Sequence, residues 1–160
     1  MQIVSVPHID RLTGLPNREG MLEIADIKDK EKEFLILNII LARTVRISAV
    51  KGTDIFNQII LESIKRVRSY LPTNTVIGRY NSNQLCLLIP FSNEVIDVNQ
   101  IIRQVESFKK VLDLPYQIQN DTYFIECFLG ISLKLREQDL SLSELLQMAE
   151  LAVVERTEEM

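Results

Sequence analysis

Twenty-two acidic side chains are the groups in this 160-residue chain best suited to hold a hard cation or move a proton. Such work needs carboxylates brought together, normally where a central strand ends. Here they are spread over helical stretches and turns, and none occurs between Glu33 and Asp54. The one histidine, His8, has no second His and no Cys beside it, a poor basis for a metal site. Cys86 and Cys127 both sit in apolar runs and read as reduced core thiols, able to pair only if their strands are neighbours. Gly52 and Gly78 are isolated, so no glycine-rich phosphate loop is present, and no serine stands in a nucleophile elbow. On side-chain chemistry alone the chain is an α+β domain without an evident catalytic constellation.

The elements that must position these residues follow from periodicity. DRLTGLPNREG, starting at Asp10, is turn-rich, and Asn17 is placed to cap a helix carrying Met21, Leu22, Ile24 and Ala25 on one stripe. Glu33–Ala42 is a nearly continuous apolar run interrupted by Asn38, the pattern of a central strand covered on both faces. Residues 43–51 suit a helix. Thr53–Tyr70 repeats apolar residues at helical spacing and stops at Pro72.

Two short apolar runs, 75–80 and 85–90, flank Asn81-Ser82-Asn83-Gln84. This predicts a hairpin with Asn at positive φ. Asp97–Leu112 is a further amphipathic helix, with Val98, Ile101, Ile102, Val105, Phe108, Val111 and Leu112 on its apolar side. YQIQ and TYFIECFLGISLKL form a second hairpin about Asn120-Asp121. Ser141 or Ser143 caps a last helix that turns Leu145, Leu146, Met148, Ala149, Ala152 and Val153 inward, with Glu144 placed for a capping box. The order predicts an α+β, ferredoxin-like layer: a central antiparallel or mixed sheet flanked by helices, with an extra β-hairpin. Residues 1–9 read as a lead and 10–160 as one domain.

Composition narrows the class. At 46% hydrophobic and 25% charged the chain is neither disordered nor low-complexity. No apolar run approaches the ~18 residues of a membrane span, and the N-terminus lacks a secretory pattern. The net charge of −4 gives no general attraction for nucleic acid. Lys65, Arg66 and Arg68, the densest basic cluster, are expected on a solvated helix face.

Asp10-Arg11-Leu12-Thr13-Gly14-Leu15-Pro16-Asn17-Arg18 resembles the DxLTGLPNR opening motif of GGDEF domains, the diguanylate cyclase family of bacterial signal transduction. Asn81-Ser82-Asn83-Gln84-Leu85, preceded by Arg79-Tyr80, falls where that family carries R-Y-G-G-D-E-F. Phe128-Leu129-Gly130-Ile131 resembles its S-I-G-[IV] strand, and Ala149-Glu150-Leu151-Ala152 its closing A-D-x-A helix. The resemblance implies a nucleotidyl-cyclase-like fold and a cytoplasmic location. It also implies condensation of two GTP into cyclic di-GMP across a dimer, with two divalent ions activating a 3′-hydroxyl and holding phosphates.

Carried over residue by residue, it also implies what has been lost. The family's first-strand D-x-D maps to Ile40-Leu41-Ala42, and a slip of one or two positions brings no acid there. The paired glycines become Asn81 and Ser82, and the metal-binding and catalytic acids become Asn83 and Gln84. The guanine-contacting Asn and Asp map to Ser48 and Asn57. The inhibitory R-x-x-D maps to Pro72-Thr73-Asn74-Thr75, and a triphosphate lysine to Thr157. A carboxylate accepts two guanine N–H donors, whereas an amide accepts only through its oxygen. Binding of Mg²⁺ is therefore not expected.

The expectation is a degenerate, catalytically inactive GGDEF module that regulates or dimerises beside a neighbouring domain such as an EAL phosphodiesterase, as a segment of a longer protein. It includes no nucleic acid and no direct membrane contact. The alternatives are a module that senses GTP without turnover and, less favoured, an active cyclase. Asn81–Gln84 then reads as a plain turn, a modified nucleotide pocket or a partner contact. Ile40 and Ala42 read as core. The opening motif reads as a turn and cap, or as the coupling to whatever precedes it.

Overall fold

The computed structural model describes residues 8–29, 33–91, 97–135 and 140–149. Ala152, Val153 and Thr157 lie outside them, as does most of the lead. The chain divides into two units: Met1–Ile40, Asn74–Ser92 and Leu129–Met160 form one, and Leu41–Thr73 and Asn93–Phe128 the other. In chain order the elements are α1 (Arg18–Lys28), β1 (Glu33–Leu41), α2 (Thr44–Lys51), α3 (Thr53–Tyr70), β2 (Val76–Asn81), β3 (Gln84–Phe91), α4 (Val98–Leu112), β4 (Tyr116–Ile118), β5 (Asp121–Tyr123) and β6 (Cys127–Lys134), followed by helical residues 142–149.

One sheet runs in the order β2-β3-β1-β6, the arrangement of a ferredoxin-like layer, and the β1–β3 and β2–β3 ladders are antiparallel. Alternation along β1 sorts its side chains. Phe34, Ile36, Asn38 and Ile40 share the face of Gln84, Cys86 and Leu88 in β3, while Leu35, Leu37 and Ile39 share the other with Leu85, Leu87 and Ile89. In the first unit Met21 and Ala25 of α1 and Leu142, Leu145 and Leu146 of the last helix close a core with Phe34, Ile36, Tyr80, Cys86 and Leu88. Asn17 caps α1 through its side-chain oxygen. Ser141 and Glu144 form the expected capping box, and Asp29 accepts from the Leu142 amide.

The second unit is built on α3, whose Ile55, Phe56, Ile59, Ile60, Ile64 and Val67 are buried. Tyr70 stacks on Phe108 of α4. Arg66 does not join a solvated face. It donates to the carbonyls of Val111, Leu112, Leu114 and Pro115 at the end of α4 and lies 3.8 Å above the Tyr116 ring. Val111 and Leu112 stand in the last turn of α4, where carbonyls run out of i+4 amides, and Leu114 and Pro115 follow just past it; the guanidinium fork supplies donors to several of them at once.

Four further expectations change. β1 ends at Leu41, one residue early, because the Ala42 amide turns to the Glu126 carbonyl and Arg43 adopts φ 67°. The 122–135 run is two strands: it breaks over Phe124–Glu126, where Cys127 donates its amide to the Asp113 carboxylate. β5 pairs with β4 through Gln119-Asn120, both at positive φ, while β6 joins the larger sheet. Val98, Ile102 and Met148 are exposed, so α4 and the last helix bury narrower stripes than their sequences suggest.

Gly20 tests the close packing of the N-terminal segment. A Cβ there would clash with the His8 carbonyl oxygen, and that oxygen already accepts from the Asn17 amide. Alanine favours a helix by about 1 kcal/mol over glycine, yet overpacking against backbone costs about 1–3 kcal/mol. Gly20→Ala is expected to lower the urea midpoint; a raised midpoint would show that the segment yields freely.

Candidate functional site

The β2–β3 hairpin ends in Ser82-Asn83, with Asn81 opposite Gln84. The register shifts by one between Arg79 and Asn81, a β-bulge at Tyr80. The bulge supplies the twist the turn needs, so Asn81, Ser82 and Asn83 all keep negative φ. That corrects the expectation of Asn at positive φ here: ordinary side chains occupy this turn without backbone strain.

Gln84 is 1% exposed and directly opposite Ile40. Its Oε1 accepts from Asn81 Nδ2 at 2.9 Å, and its Nε2 donates to Asn38 Oδ1 at 3.3 Å. Asn38, also 1% exposed, leaves its Nδ2 buried with no acceptor. Three neutral amides thus run from the strand to the turn, and the oxygens of Asn38 and Gln84 are engaged by amide hydrogens. The sequence showed Asn38 only as a break in an apolar run. A polar residue inside a strand buried on both faces was the signal that it had a partner.

Arg79 ties this turn to the opening motif. Its Nη1 reaches both Asp10 carboxylate oxygens at 3.2 Å, its Nη2 donates to the Ser82 carbonyl at 2.8 Å, and its amide donates to Pro16. Asp10 Oδ2 also accepts from the Thr13 amide and hydroxyl, while Gly14 at φ 72° closes the turn back onto the Asp10 carbonyl. The Thr13 hydroxyl accepts from the Leu15 amide, and Leu15 is buried. Burial pushes the Asp10 carboxyl up, but the Thr13 hydrogen bonds and then Arg79 outweigh it, holding it below the ordinary 3.8. Leu12 is half-buried, and the Arg18 guanidinium lies 5.9 Å from the Tyr80 ring centre.

Ala42, Ser48, Asn57 and Pro72 fall in the second unit, apart from the unit that carries the turn. Ala42 is buried just beyond β1, Ser48 in α2 and Asn57 in α3 are half-buried, and Pro72 is exposed. Thr75, in the first unit, buries a hydroxyl that has no partner. Among the described residues no three His, Cys, Asp or Glu side chains are grouped so as to hold a metal. Both cysteines are buried and neither is in a disulfide. Burial first, and then the Asp113 carboxylate, push the Cys127 thiol up to about 12, so it is no nucleophile at neutral pH. No helix of the described residues is long and apolar enough to cross a membrane.

The sequence profile of the family described as Diguanylate cyclase, GGDEF domain matches residues 7–160. The signaling protein YkoW of Bacillus subtilis is 23% identical over 159 residues, covering 95% of this chain but 19% of that protein, so the chain spans about a fifth of its length. A solved diguanylate cyclase/phosphodiesterase of Caldicellulosiruptor saccharolyticus superposes with a TM-score of 0.78 at 17% identity, over 99% of this chain and 91% of that one. The Pseudomonas aeruginosa diguanylate cyclase SiaD, solved with its activator SiaC, gives 0.77 at 16%, over 94% and 58%. The GGDEF domain of Caulobacter crescentus DgcB, solved with c-di-GMP, gives 0.72 at 14%, over 99% and 92%.

The lowered Asp10 carboxyl fixes a pH dependence. Its contribution to stability is complete above the ordinary carboxylate value and is lost as pH falls through 3.8 toward the lower folded value. Asp10→Asn removes hydrogen bonds to a charged group, worth about 1.5–3 kcal/mol. In urea melts the gap between the original and variant chains should be widest at neutral pH and narrow below about pH 4; a gap independent of pH would refute the assignment.

Proposed function

The chain belongs to the GGDEF domain family of diguanylate cyclases, and from that premise we propose that it serves cyclic di-GMP signalling as a catalytically inactive module that regulates a neighbouring domain or dimerises on its behalf. An EAL phosphodiesterase is the neighbour that fits best. The likeness to a solved diguanylate cyclase/phosphodiesterase supports that pairing.

One observation carries the reading. At the strand end and turn where the family places its acids, this chain has Ile40 and the amide series Asn38, Gln84 and Asn81. A pair of Mg²⁺ ions on a triphosphate takes oxygen ligands and needs negative charge on the protein side. Isoleucine offers no donor, and the oxygens of Asn38 and Gln84 already accept hydrogen bonds. The residues present do not fit the ions. Asn83 and Ser82 also carry uncharged side chains, and Ser82 fills the place of a family glycine.

A module without turnover still has work to do through its connections. The Asp10–Arg79–Ser82 series links the segment entering the domain to the hairpin turn. On this reading a displacement of the opening motif is felt at the turn, which a partner would then read by docking.

Incubation with GTP and Mg²⁺, followed by chromatography, is expected to give no cyclic di-GMP even with enzyme stoichiometric to substrate. Detectable product would overturn the proposal. Calorimetry with GTP and Mg²⁺ should show no saturable heat; saturation without product would favour a sensing module. The combination Ile40→Asp, Asn83→Asp and Gln84→Glu is expected to remain without product, because Asn81 and Ser82 still crowd the turn and Ser48 and Asn57 still lack the groups that read guanine. Product from that variant, confirmed folded by circular dichroism, would show that the missing charge is the only deficit.

A further inference from the structure

Helix α2 is turned inside out relative to its neighbours. α3 buries six large apolar residues, whereas α2 buries only Thr44. At about 100° per residue, Val45, Arg46, Ala49 and Val50 fall on one side, and all four are exposed, the two valines at 69% and 71%. Arg43 and Lys51 bracket them, also exposed, and the helix contains no acid. Apolar side chains presented together outward among cations form a surface that a partner could cover.

The charge pattern says which partner. On α1, Glu19, Glu23 and Asp26 stand at successive turns of the outward face, all exposed, with Ile27 beside them at 75%. The cations of α1 itself are Arg18, whose guanidinium lies over the Tyr80 ring, and Lys28 in the last turn. His8 lies 3.7 Å from Glu19 and 3.5 Å from Glu23. The outward faces of α3 and α4 mix signs, with Asp54, Lys65 and Arg68 all exposed on one and Glu106 beside Arg103 and Lys110 on the other. Only α1, among the described helices, presents three acids with an exposed isoleucine. An anionic membrane suits α2 less well: the chain carries a net charge of −4 and the exposed face has no aromatic residue.

We propose that the α2 face of one copy docks on the α1 face of a second copy, with Arg46 and its flanking cations against Glu19, Glu23 and Asp26, and Val45 and Val50 against Ile27. The two surfaces differ, so the contact is heterologous and joins copies head to tail. It is small and charge-led, hence weak and sensitive to salt. This deepens the docking half of the proposed function and does not depend on the absence of turnover. Its failure would leave the cyclic di-GMP assay untouched.

Sedimentation velocity of the 160-residue chain tests it. Self-association at about 100 μM protein should weaken about tenfold between about 50 mM and about 500 mM NaCl. Arg46→Glu and Glu23→Arg should each weaken it by a similar factor, with unchanged far-UV circular dichroism because both residues are exposed. Mixing the two variants should give a dimer, since each retains the face the other has lost. A chain monomeric at both salt concentrations would overturn the inference. So would a mixture no better than its components, or binding to phosphatidylserine vesicles that Arg46→Glu abolishes while self-association is unchanged.

Discussion

A polar side chain in a strand buried on both faces is costly unless its hydrogen bonds are met. In β1 that condition governs Asn38, which sits among Phe34, Ile36 and Ile40 on a face shared with Gln84. Gln84 meets it for the Asn38 oxygen, donating to it while accepting from Asn81, and the Asn38 Nδ2 stays buried without an acceptor. The series is neutral throughout, so it adds no uncompensated charge to the core. A carboxylate at the same depth would need a cation to hold it. Charge neutrality at this sheet end and the continuous apolar character of β1 are therefore one constraint seen twice.

A second device fixes the hairpin from outside. Arg79 joins the Asp10 turn to the Ser82 carbonyl, and the Arg79 amide is taken by Pro16. The bulge at Tyr80 lets the strand end without glycines. The fold needs the hairpin, the bulge and the arginine; it does not need acids in the turn. That separation is what allows a domain of this family to keep its architecture while its turn takes a different chemistry.

Much of the fold was legible because period and punctuation agreed. α3 follows its apolar spacing from Thr53 to Tyr70 and stops before Pro72, and β1 follows an apolar run broken only by Asn38. What was not legible depended on partners distant in sequence. Arg66 looked like one of three cations on a wet helix, because the carbonyls it serves lie more than forty residues away. The break at Phe124–Glu126 comes from Asp113 and Ala42 taking the backbone groups that a continuous strand would have used. The substitutions in the turn were plain in the sequence. The role of Asn38 was not, since a diagonal pair across two strands leaves no trace in the order of residues.

The neutral sheet end is most directly probed with a paramagnetic ion. Adding Mn²⁺ to isotope-labelled protein and following the side-chain amide resonances of Asn38, Asn81 and Gln84 reads the site itself, independently of any nucleotide. If these residues offer no seat for a divalent cation, the three signals broaden no more than surface amides elsewhere. Selective, saturable broadening of the three, reversed by excess Mg²⁺, would place a cation beside them and contradict the inactive reading at its root.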